Sequence, residues 1–117
     1  MNPLSMRIDL ASGGRIGPGK VRLLELIDET GSISAAGREM NMSYRRAWML
    51  VNSLTEALGT PVVEARKGGR SGGGARLTEA GHEVIRLYRS VESKALEAGA
   101  TEIRALETLA GGGKPRR

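Results

Sequence analysis

Apolar and polar residues alternate from Met6 to Leu10, with Met6, Ile8 and Leu10 on one side and Arg7 and Asp9 on the other. This period of two predicts a short, half-buried strand. Gly13 and Gly14 turn the chain, and Gly17-Pro18-Gly19 closes the segment. From Lys20 to Thr30 the period changes: Val21, Leu24 and Ile27, flanked by Leu23 and Leu26, recur at helical spacing, and Gly31 supplies a left-handed residue at the end. Ser32 caps a second helix over Ile33 to Met40, and after a break at 41–43 a third runs from Tyr44 to Leu58, stopped by Gly59 and Pro61. Val62 to Lys67 and Ala75 to Leu77 read as antiparallel strands around a run of glycines too dense to be regular. Thr78 caps a long helix with Ala80, Val84, Leu87, Tyr88, Val91 and Ala95 on one face. Gly99 interrupts it, Ile103, Leu106 and Leu109 continue the stripe, and 111–117 read as a disordered tail.

The stretch from Ile33 to Asn52 meets the demands of two short helices crossing steeply. Gly37 is small at the crossing, and Asn41 tolerates the left-handed conformation of the turn. Ala36, Met40, Met42, Ala47 and Leu50 face inward, and Ser43 caps the next helix. In that helix Ala47, Val51, Leu54 and Leu58, with Leu50, form the buried stripe. Arg45, Met49, Asn52 and Glu56 point away, flanked by Arg46 and Ser53. Arg and Asn read base edges in bidentate geometry when a helix lies in the major groove of DNA, so Arg45, Arg46 and Asn52 are the expected reading face, within a DNA-contacting set of Ser43, Tyr44, Arg45, Arg46, Met49 and Asn52. The alternative is an ordinary solvated face. Tyr44 admits a phosphate contact or a core position; Trp48 is expected to pack as core against the first helix.

Composition narrows the choice. A chain of 117 residues holds one modest core, built without Phe and with one Trp and two Tyr. A net charge of +5 suits a polyanionic partner. With no Cys and a single histidine, His82, thiolate and multi-histidine metal sites are excluded, and disulfides with them. No apolar run approaches the roughly 18 residues that span a bilayer, and the N-terminus has no signal-peptide core, so a cytoplasmic protein without membrane contact is expected. The run from Lys67 to Arg76 lacks the lysine of a nucleotide-binding loop, and a strand separates it from the following helix. It reads instead as a hairpin wing, in which Arg66, Lys67, Arg70 and Arg76 neutralise phosphates while Gly69 and Ser71 let the backbone approach. The acidic residues are scattered over helix surfaces and no nucleophile–base pair is present, so no enzyme is expected.

Gly31 to Gly37, Met42 to Trp48, and the wing from Gly68 to Thr78 followed by Glu79-Ala80-Gly81 resemble the N-terminal DNA-binding domain of ModE-type molybdate-responsive regulators, and more distantly that of LysR-type regulators. The resemblance covers about Leu4 to Leu96. It implies a homodimer on a near-palindromic operator, with the long C-terminal helix in the dimer interface. Full-length members carry a molybdate-binding domain of small β-barrels; this chain ends at Arg117, so such a domain is expected to be missing. Molybdate is the one ligand the resemblance admits, and no cofactor is expected.

The resulting expectation is a mainly α fold with a small β-hairpin, a winged helix-turn-helix over 1–77, a dimerisation region over 78–110 and a tail over 111–117. Leu87, Val91, Ala95 and Leu106 are the expected dimer contacts. Two functions remain open: a stand-alone dimeric regulator, or a module whose C-terminal helix docks a separate effector-sensing protein.

Overall fold

A computed structural model describes residues 2–69 and 72–111. Its elements follow the chain as β1 (Ile8–Asp9), β2 (Arg15–Ile16), α1 (Pro18–Thr30), α2 (Ile33–Glu39), α3 (Tyr44–Leu58), β3 (Val63–Gly69), β4 (Gly72–Leu77), α4 (Glu79–Ala98) and α5 (Ala100–Leu109).

The helix α1 is the hub. Pro18 occupies its first turn, where the missing N–H costs nothing, and Gly31 closes it at φ 73° with its N–H on the Ile27 carbonyl. Val21, Leu23, Leu24, Leu26 and Ile27 are all buried, because α2, α3, α4 and β4 pack around this one helix. The start is two residues earlier than the apolar pattern predicts, since Pro18 and Gly19 carry no apolar signal.

Local chemistry sets the next two helices. The Ser32 hydroxyl accepts from the Ala35 N–H at 2.9 Å, and the Ser43 hydroxyl accepts from the Arg46 N–H at 3.1 Å. Between them Asn41, at φ 58°, is the one non-glycine residue with positive φ among the described residues. Gly37 lies at the crossing, where an added Cβ would stand 3.2 Å from the Ala47 Cβ and 3.3 Å from the Met42 carbonyl oxygen. The helix α2 ends at Glu39, one residue short of the expected boundary.

Strands β3 and β4 pair antiparallel in the register Val63↔Leu77, Glu64↔Arg76, Ala65↔Ala75 and Arg66↔Gly74, with a register shift before Gly69↔Gly72. The glycine run is therefore more regular than expected, because both strands extend into it. The base of the hairpin is sewn to the helices. The Ala75 N–H donates to the Gly31 carbonyl at 2.9 Å, and the Thr78 N–H donates to that of Val62 at 3.0 Å.

At the N-terminus only Ile8 and Asp9 of the expected strand pair, and their partners, Ile16 and Arg15, form a second strand that the sequence reading did not assign. Two-residue strands give no periodic signal; the pairing rests on the Leu10–Gly14 turn and on Ile16 entering the core.

The apolar face of α4 is divided: Val84 and Tyr88 are buried in the domain, whereas Leu87 and Val91, two of the expected dimer contacts, are 52% and 45% exposed. Gly81 is buried too, and so is Glu92, which was not foreseen among the surface carboxylates. Arg89 explains it, donating to both oxygens of Glu25 on α1 at 3.0 and 2.9 Å and to Glu92 at 2.9 Å. The Tyr88 hydroxyl donates to the Met6 carbonyl at 2.8 Å, tying down the N-terminal segment. Gly99 separates α4 from α5, in which no residue is buried. The expected tail beyond Gly111 lies outside the described residues.

Candidate nucleic-acid interface

The outer face of α3 is the centre of the site. With Ala47, Val51 and Leu54 buried, helical spacing turns Arg45, Met49 and Glu56 outward, and all three are exposed; Asn52 beside them is half-buried. The Asn52 side-chain amide donates to a Glu56 carboxylate oxygen at 3.4 Å, a long contact that an incoming acceptor can replace. Arg45 and Arg46 are exposed and make no ion pair among the described residues. Ser43, at the helix start, accepts the Arg46 N–H with its hydroxyl oxygen as the cap and keeps its own O–H as a donor.

On one flank of α3, Tyr44 and Trp48 stand one turn apart and wall a groove of about 400 Å³ whose other side is the β3–β4 hairpin. Trp48 is 47% exposed and Tyr44 55%. The expectation of a core Trp48 is wrong. Its position lies a quarter turn from the buried stripe, and the first helix is already enclosed by smaller aliphatic side chains. Tyr44 is likewise outside the core.

The hairpin residues are placed unequally. The Arg66 guanidinium folds back over the junction of α1 and α2, where an added Cβ on Gly31 would come within 2.9 Å of it. Arg76 is paired with Glu64 across the strands at 2.8 Å, a partner that the sequence reading overlooked although the two face each other in register. Lys67 and Gly69 lie on the distal half of β3. Arg70 and Ser71 lie outside the described residues.

The opposite flank of α3 was missed from sequence. There Arg46 and Leu50 meet the β2–α1 junction, so that Arg7, Arg15 and Lys20 come beside Arg46. No periodicity links these four cations; only the tertiary fold gathers them.

His82 is exposed in the first turn of α4. Among the described residues no group of three or more His, Cys, Asp or Glu side chains is arranged to hold a metal, and no helix is long and apolar enough to cross a membrane. The four expected dimer contacts stay outside the domain core: Leu87, Val91 and Leu106 are exposed and Ala95 is half-buried.

Comparison with known proteins agrees with this geometry. The chain is 48% identical over 82 residues to the molybdenum-pterin-binding protein MopB of Rhodobacter capsulatus, covering 70% of this chain and 30% of that protein. It is 34% identical over 87 residues to the molybdenum transport protein ModE of Azotobacter vinelandii, covering 74% and 32%. It is 38% identical over 71 residues to the DNA-binding transcriptional dual regulator ModE of Escherichia coli K12, covering 61% and 27%. The chain thus spans about a third of the length of these relatives. Among solved structures, full-length CbnR complexed with its target DNA superposes with a TM-score of 0.54 at 21% identity, over 72% of this chain and 27% of that one, a likeness of fold. The model of the lysR family of bacterial regulatory helix-turn-helix proteins matches residues 19–82, more than half of the sequence, and the chain belongs to that family.

Proposed function

We propose that the protein binds double-stranded DNA sequence-specifically as a homodimer and regulates transcription, with no catalytic step of its own. The observation that carries this reading is the exposed Arg45–Met49–Asn52 face of α3, set opposite a fully apolar stripe and bordered by a glycine hairpin. Arg45 and Asn52 read base edges from the major groove, with Met49 in apolar contact between them. Ser43, Tyr44 and Arg46 contact backbone at the start of the helix, and Arg66, Lys67, Arg70 and Arg76 contact it from the hairpin, where Gly69 and Ser71 permit close approach. Arg76 would exchange its exposed pairing with Glu64 for a phosphate, at small cost because such pairs are worth little in water.

Leu87, Val91, Ala95 and Leu106 form the contact between protomers, and two-fold symmetry then sets two α3 helices about one DNA turn or a small multiple apart. A second reading draws on the same exposure. Leu106 and Leu109, 64% and 83% exposed, could instead dock a separate sensing subunit. A pull-down with and without DNA separates the two.

The names of the relatives point to molybdenum. An oxyanion site wants several donors converging in a sheltered pocket. The hairpin is instead an open ribbon, and we propose that this chain does not bind molybdate tightly. Calorimetry on the isolated protein should show no binding at micromolar concentration.

Selection of bound duplexes from a random pool tests the main reading. It should enrich two related half-sites in inverted orientation; a pool that stays random contradicts it.

A further inference from the structure

The β2–α1 junction carries a cluster of positive charge that the fold only partly neutralises. Arg7, Arg15, Lys20 and Arg46 border one open hollow of about 420 Å³ beside the start of α3. Asp9 is the single carboxylate paired with any of them among the described residues, at 3.0 Å from Arg7 and 4.0 Å from Arg15. Glu56 borders the adjoining hollow without an ion pair to Arg15 or Lys20. Lys20 donates one proton to the Arg15 carbonyl at 2.9 Å, which leaves two of its ammonium protons free to point outward. Its pKa is held below the ordinary lysine value, first by partial burial and then by the charge of Arg15. Four cations are held together here against one paired carboxylate.

The floor of the hollow is equally telling. Gly17 and Gly19 line it, and a Cβ added to either would meet nothing within 4 Å beyond its own adjoining stretch of chain. Neither has a positive φ. Neither packing nor backbone conformation demands glycine at these positions, and Gly19 inside the first turn of α1 weakens the helix relative to alanine. What the two glycines do is leave the surface bare between four cations.

We infer that this hollow is a binding site for the phosphodiester backbone of DNA, on the strand bordering the major groove opposite the one the hairpin follows. The assignment rests on the proposed function. Helical spacing on α3 supports the placement: Tyr44 and Trp48 face the hairpin, Arg45 and Met49 point outward, and Arg46 and Leu50 face the hollow. A helix whose outer face enters the groove brings one flank to each of the two strands. The protein then grips the groove from both sides, with the hairpin on one strand and the Arg15–Lys20–Arg46 cluster on the other.

The test uses the intact protein and a duplex it has selected from a random pool, with affinity measured across a range of salt concentrations. The double variant Arg15→Ala/Lys20→Ala should bind at least tenfold more weakly near 0.15 M salt. Its log–log salt slope should be shallower by about 0.9 for each phosphate it no longer neutralises. Its ranking of duplex sequences should match that of the wild type. Because Lys20 also holds the Arg15 carbonyl, Gly19→Glu serves as a second variant. It breaks no hydrogen bond, places a carboxylate where a helix start favours one, and should melt no lower than the wild type while losing affinity. Arg86→Ala, on α4 away from the hollow, should leave the slope unchanged. If both test variants keep wild-type affinity and slope while Arg45→Ala loses selectivity, the site is wrong and the DNA-binding function stands. A wild-type protein that selects no duplex overturns both.

Discussion

Gly37 and Gly81 show how single positions decide whether the helices can meet. At Gly37 an added methyl group would crowd the Ala47 Cβ and the Met42 carbonyl by a few tenths of an ångström. The helix-propensity gain of Ala over Gly, about 1 kcal/mol, offsets much of that strain. Gly37→Ala is therefore expected to be close to neutral in thermal unfolding. Gly81 has no such latitude, because its Cβ would overlap the Val62 carbonyl, which already accepts the Thr78 N–H and belongs to rigid backbone. Gly81→Ala should cost roughly 1–3 kcal/mol as the hairpin and α4 are forced apart. Equal melting temperatures for the two variants would contradict this packing. These residues also mark what was legible in the sequence. Gly37, Asn41 and Ser43 each have one local role that residue type reveals, and all three act as expected. Trp48 does not, because its exposure depends on how fully smaller side chains close the core elsewhere.

At the scale of elements, α4 is fixed to α1 by the Arg89 fork onto Glu25, completed by Glu92. The Arg89 guanidinium also lies 5.7 Å from the Tyr88 ring centroid. Donation from Arg89 holds the Glu25 carboxyl below its ordinary pKa, against the opposing effect of burial. The folded state thus favours the charged form of Glu25. The stability this gives is fully present above the unfolded-state value of about 4.3 and is lost as pH falls through the lower folded value. Melting temperature should therefore fall between about pH 5 and pH 3, and more gently in Glu25→Gln. Identical profiles would show that the pair does not couple α4 to the domain. Arg89→Ala, which strands the buried Glu92, should cost about 1–3 kcal/mol, toward the lower end because Arg89 is itself about one-third exposed. None of this was legible in the sequence, since Glu25 and Arg89 lie 64 residues apart and neither breaks a periodic pattern. The helices α1 to α3 were legible because caps and apolar spacing are local. The strand β2 was not, because two residues cannot display a period.

For the whole molecule, the dimensions of 55 × 33 × 20 Å reflect α4 and α5 extending from the domain with Leu87, Val91 and Leu106 uncovered. A stripe of that kind suits two-fold pairing. Light scattering on Leu87→Glu/Val91→Glu should report a monomer where the intact protein reports a dimer. That monomer should also show a shallower salt dependence of DNA binding, since one protomer neutralises half as many phosphates as two. The stripe itself was legible because its apolar residues recur at helical spacing; how much of it the domain covers was left to tertiary packing, which takes Val84 and Tyr88 into the core and leaves Leu87 and Val91 outside it. The central claim is that the outer face of α3 reads base sequence, and Arg45 is its most exposed test. The decisive measurement is the affinity of wild-type protein and Arg45→Ala for every single-base-pair variant of a selected duplex. The account predicts that Arg45→Ala loses about 1–3 kcal/mol on the selected duplex and becomes indifferent to one base pair in each half-site, with the other preferences intact. An unchanged ranking across all variants would contradict it.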